Sequence, residues 1–113
     1  MGLFGLSQKG KLNYTIDQVN SRIIKVNNIL DKNGNCKSLS NLSYSELMEL
    51  KHLGEEILIW ANKVPEILER DQKLMLTRVS GSWGSIEVTS WMMWIMQWYS
   101  CFERDVCPYL PIC

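Results

Sequence analysis

The sequence predicts an all-α protein, a small helical bundle of about four helices followed by an extended, proline-containing C-terminal tail. Three observations carry that prediction. Apolar residues recur at three- and four-residue steps through several separate stretches. A Ser or Thr followed three residues later by Glu or Gln stands just ahead of two of them. No segment alternates apolar and polar residues in the manner of a half-buried strand. With 113 residues and 46% hydrophobic content, the chain suffices for one core and not two. A single helical domain over 1–113 is expected, with residues 1–14 a flexible N-terminus and 106–113 the extended tail.

Thr15 and Gln18 read as a capping box, and Ile16, Val19, Ile23, Val26 and Leu30 follow as an amphipathic stripe, which places a first helix over about Ile16 to Lys32. Asn33, Gly34 and Asn35 are its stop, because glycine takes the left-handed C-cap conformation without steric cost. Such a clean seam suits packing within the chain or pairing with a second copy, so a homo-oligomer is among the expected states. The segment CKSLSNLS reads as a polar linker. Ser43 and Glu46 form a second capping box ahead of Leu47, Leu50, Leu53, Ile57, Trp60, Ala61 and Val64, so a second helix covers about Tyr44 to Lys63. Pro65 lacks an amide donor and fits the first turn of a new helix, with Glu66 at the positive end of its dipole; a break and a restart follow. Ile67, Leu68, Leu74, Met75 and Val79 make a less regular third stripe. SGSWGS reads as a turn into a last helix over about Ser85 to Arg104, where Trp91, Trp94, Trp98 and Cys101 share one face and Met92, Met96 and Tyr99 another. Two prolines make the tail CPYLPIC extended.

Charge narrows the function classes. Twelve basic and twelve acidic residues give a formal net charge of zero, whereas a nucleic-acid binder needs a clustered positive excess, so no direct nucleic-acid partner is expected. Residues 88–102 are uncharged but include Thr89, Ser90, Gln97 and Ser100, and a span needs about 20 mostly apolar residues, so no transmembrane helix is expected. Gly2 follows the initiator Met, but Leu6 stands where a myristoylation pattern wants Ser or Thr. Leu3, Phe4 and Leu6 beside Lys9 and Lys11 are candidates for weak peripheral contact with a membrane surface. Without a recognisable secretory signal, Cys36, Cys101, Cys107 and Cys113 are expected as reduced thiols, and the sequons at Asn13 and Asn41 as chance matches.

Chemistry is poorly supported. The successive C-terminal cysteines lack the spacing of zinc ligands, and the single histidine, His52, lies far upstream, so no metal and no cofactor is expected. His52 has no nucleophile or orienting carboxylate at fixed spacing, and Glu55, Glu56, Glu66, Glu69 and Asp71 sit on expected solvent faces; no enzyme follows. SGSWGS lacks the lysine and preceding strand of a phosphate loop. Recognition is better served. Four of the five tryptophans fall between residues 83 and 102, and Trp and Met are favoured binding residues. Trp91 and Trp94, deep in the apolar run, are assigned to the core; Trp98, Tyr99 and Phe102, next to Glu103, Arg104 and Asp105, are the expected partner-binding patch.

The blocks LGEE (Leu53 to Glu56), IWA (Ile59 to Ala61), Pro65-Glu66, Ile67-Leu68 and RDQ (Arg70 to Gln72) occur in an order that resembles the C accessory proteins encoded within the phosphoprotein gene of paramyxoviruses, the respirovirus members in particular. TSWMMWIMQW followed by ERDVCPYLP is similar to the Trp/Met-rich C-terminal helix and tail of such proteins in related genera. The resemblance implies a non-enzymatic helical protein of the host cytoplasm. Its partners would be host interferon-signalling factors of the STAT type and components of the viral polymerase. The alternative expectation is a small matrix-like structural protein that reaches membranes through Leu3, Phe4, Leu6, Lys9 and Lys11.

Overall fold

A computed structural model describes residues 7–31, 36–81 and 84–110. Four α-helices dominate: α1 (Gln8–Asp31), α2 (Tyr44–Ala61), α3 (Lys63–Arg70) and α4 (Val88–Val106). Between them lie 3-10 turns at Cys36–Asn41 and Gln72–Leu76 and a hairpin of β1 (Arg78–Gly81) and β2 (Gly84–Glu87), and a further 3-10 turn covers Cys107–Tyr109. The all-α expectation holds, with the hairpin an unexpected addition.

Helix α1 begins two turns before the expected start. Leu12 extends the buried stripe upstream of Ile16, and Ser7 caps the end: its Oγ accepts from the Gly10 amide at 3.0 Å. Residues 7–14 are therefore not a flexible arm, as the sequence suggested, and residues 1–6 lie outside the described residues. Thr15 is no cap. It is buried in mid-helix and its hydroxyl donates to the Lys11 carbonyl at 2.7 Å, the local back-bond that removes the need for a distant acceptor. Gln18 instead accepts from Arg22 Nη1 at 2.8 Å. The seam of Ile16, Val19, Ile23 and Val26 is buried against the rest of this chain. The expected stop at residues 33–35 lies outside the described residues.

The segment read as a polar linker is a 3-10 turn that presses Leu39 onto the core, with Leu42 buried just after it. Ser43 then starts α2 as expected: the Glu46 amide donates to Ser43 Oγ at 3.1 Å and the Ser43 amide to Glu46 Oε1 at 3.0 Å. Asn62 closes α2 and opens α3, which puts Pro65 in the first turn of α3, where a missing amide hydrogen costs no intrahelical bond.

The irregular third stripe is divided among three elements. Ile67 and Leu68 are buried from α3, Leu74 from the following turn, and Val79 from β1. The hairpin pairs Arg78 with Glu87 and Val79 with Ile86, and Gly84 adopts φ 105°, which glycine enters freely. Asn20 Nδ2 donates to the Ser80 carbonyl at 2.9 Å and fastens the hairpin to α1. The hairpin also moves the start of α4 from Ser85 to Val88, whose amide donates to the Thr77 carbonyl at 2.8 Å. At the other end α4 continues to Val106, and Cys107–Tyr109 forms a turn where an extended tail was expected.

The core runs from Leu12 in α1 to Val106 in α4 and centres on Trp91, fully buried as expected. Cys107 corrects the reduced-thiol expectation. Its sulfur is disulfide-bonded, whereas Cys101, exposed on α4, is free.

Two substitutions test this account by thermal or urea melting. Ser43→Ala removes the hydroxyl that accepts from the Glu46 amide, leaving only the backbone half of the capping box, and should cost about 1 kcal/mol. Trp91→Ala, which empties the largest fully buried site, should cost about 3–5 kcal/mol.

Candidate partner-binding groove

The last two turns of α4 carry the residues expected to bind a partner, and the fold brings them together. Trp98 and Phe102, one turn apart, stack with ring centroids 5.2 Å apart and planes 15° from parallel. Tyr99 joins them at 6.3 Å from the Phe102 ring. All three are half-buried, more covered than an open patch, and Trp98 and Phe102 pack against the core. Trp94, expected as core, is half-buried as well.

The cause lies on α2. Gly54 has no side chain, and a Cβ placed there would stand 2.5 Å from Phe102 Cε1 and 3.1 Å from Cζ. The phenyl ring occupies the notch that glycine leaves, so α4 approaches α2 at this point through one aromatic edge. On either side of that edge the surface is hollow. Towards α1 lies a cavity of 160 Å³ lined by Val26, Leu30, Leu39, Trp98 and Val106. Towards α2 lies a groove of 270 Å³ with Gly54, Tyr99, Phe102, Val106 and Leu110 as its apolar lining.

Lys51, Glu55 and Glu103 are the charged residues lining the groove. Lys51 Nζ and Glu55 Oε1 pair at 3.6 Å, while Glu103 forms no ion pair among the described residues. The balance is negative, and Tyr99 registers it: burial first, then the Glu103 and Glu55 carboxylates, push its phenol above the ordinary tyrosine value. An apolar trough with acidic margins can take an apolar anchor flanked by basic side chains.

The other candidates are dispersed. His52 is exposed on α2, and Glu56 is held by Arg22 at 3.0 Å. Among the described residues no three His, Cys, Asp or Glu side chains converge as a metal site would require. No helix among them is long and apolar enough to cross a membrane. Lys9 and Lys11 stand in the first turn of α1, whereas Leu3, Phe4 and Leu6 lie outside the described residues. Sequence reasoning missed the exposure of Met93 and Met96, 68% and 56% accessible on the outer side of α4. The signal was available, since both fall off the Trp91–Ile95–Trp98 stripe.

No family model, curated protein or solved structure matches the chain.

Two measurements probe the groove. Gly54→Ala ordinarily stabilises a helix interior by about 1 kcal/mol. Here the displaced Phe102 ring should reverse the sign, and a raised melting temperature would show that the notch is not needed. Spectrophotometric titration should find Tyr99 ionising above the ordinary tyrosine range and moving down towards it in Glu103→Gln. Because the folded value is the raised one, the associated stability is present below the unfolded value and lost as pH rises through the folded value.

Proposed function

We propose that the chain is a non-enzymatic viral accessory protein that acts by binding host and viral proteins, seating an apolar anchor of the partner in the groove between α2 and α4. The observation that carries this reading is the groove itself, an apolar trough built by Gly54, Tyr99, Phe102, Val106 and Leu110 under an acidic rim. Half-buried aromatics in such a setting suit recognition: they offer large contact area already held in place by the core. The rim defines the partner's chemistry as an amphipathic segment with Lys or Arg beside its apolar anchor.

The resemblance to paramyxovirus C proteins supplies the biological assignment. On that reading the partners are interferon-signalling factors of the STAT type and components of the viral polymerase. The protein antagonises innate signalling and modulates viral RNA synthesis. The disulfide at Cys107 fits an oxidising compartment better than the cytosol, where thiols stay reduced. Mobility of the protein recovered from cells, on gels with and without reductant, distinguishes the two locations.

The binding test uses Tyr99→Ala and Glu103→Lys, which leave Phe102 and the core in place. Each should lower affinity for a purified STAT-type factor or polymerase component by roughly tenfold, with relief of interferon-reporter inhibition, while melting stays near that of the parent. Unchanged binding in both variants would remove the groove from the proposal.

A further inference from the structure

A second concave feature lies at the start of α1, away from the aromatic groove. It is a cleft of 120 Å³ between the first turn of α1 and α3, lined by Gln8, Lys11, Lys63, Glu66, Ile67 and Arg70. Three cations face one carboxylate, so the lining carries two net positive charges. None of the three forms an ion pair among the described residues. Lys63 rests its ammonium 5.5 Å from the centre of the Trp60 ring, a contact that positions the charge without neutralising it.

The first turn of α1 has no acidic residue, although a helix N-terminus favours negative charge and Lys11 stands close to it. Lys63 occupies the same unfavourable place at the start of α3, where Glu66 is the sole offset. A chain with as many acidic as basic residues has thus gathered, around one hollow, cations from two helices that have no ion pair among the described residues.

Gln8 adds a separate observation. Its Oε1 is buried with no hydrogen-bond partner among the described residues, and a buried acceptor left unsatisfied costs about 1–3 kcal/mol unless something donates to it. A ligand that suits the lining therefore carries anionic oxygens for Lys11, Lys63 and Arg70 and at least one O–H for Gln8. A phosphate group in its monoprotonated form has both. Sulfate, with the same shape and no proton near neutrality, has only the first. The volume is several times the ~30 Å³ share of one water, which accommodates a tetrahedral oxyanion.

We infer that the cleft between α1 and α3 is a binding site for a monoprotonated phosphate group, held by Lys11, Lys63 and Arg70 and selected by Gln8. Glu66 opposes the anion and sets the affinity from the acidic side. The same chemistry is offered by free inorganic phosphate and by the phosphomonoester headgroup of a lipid such as phosphatidic acid. The site is independent of the aromatic groove and of any protein partner.

Isothermal titration of the full chain with inorganic phosphate, and with sulfate as the control, tests it. Phosphate should bind more tightly than sulfate at both pH 6 and pH 8, since inorganic phosphate keeps at least one O–H at either pH and sulfate has none. Lys11→Gln combined with Arg70→Gln should weaken phosphate binding at least about tenfold with helicity unchanged, since each removes a charge-assisted contact. Glu66→Gln should strengthen it. Flotation with phosphatidylcholine vesicles containing phosphatidic acid separates the sources. Vesicle binding that the double variant abolishes and free phosphate competes for assigns a lipid headgroup; phosphate binding without flotation assigns a soluble phosphate. Absence of phosphate binding, equal affinity for sulfate, or a double variant that binds like the parent overturns the inference.

Discussion

The structure depends on the buried stripe of α1. Leu12, Ile16, Val19, Ile23 and Val26 are each almost or wholly without solvent contact. Helices α2 and α3, the first 3-10 turn and β1 all meet α1, so one helix supplies the common wall of the core. Helix α3 is only eight residues long and has no stability of its own in water. It persists because Val64, Ile67 and Leu68 are held in that core. The consequence for function is that the cleft exists only while α3 stays packed on α1, the two helices that line it.

Much of this was legible in the sequence where local signals and packing agree. Ser43 with Glu46 is a capping box in the sequence and in the structure, because nothing upstream continues the helix through it. Thr15 with Gln18 has the same spelling and fails. Leu12 stands one turn earlier on the same face, and its burial gives the chain reason to start the helix sooner. The hairpin escaped notice because each strand is four residues long and rich in Gly and Ser. Only Val79 and Ile86 mark an inward face, too few for a period of two to be seen. Long-range packing, not local propensity, made it a strand pair.

The aromatic end of α4 shows a different limit. Trp98, Tyr99 and Phe102 were legible as a cluster, and the helix does bring them together. Their degree of burial was not legible, because it is set by Gly54, far away in sequence on another helix. A glycine in an otherwise good helix reads as a weak position. In three dimensions it is the recess that receives Phe102, and the groove exists because α4 touches α2 through that ring while the flanking surfaces stay apart.

Charge arrangement then separates what composition had averaged. The formal net charge of zero conceals an acidic rim around the groove and a basic lining in the cleft. The groove takes its lining from α2, α4 and the turn that follows α4, the cleft takes its lining from α1 and α3, and no residue lines both. Neutrality of the whole chain is compatible with two surfaces of opposite preference because different pairs of helices build them, so each gathers its own excess of one sign.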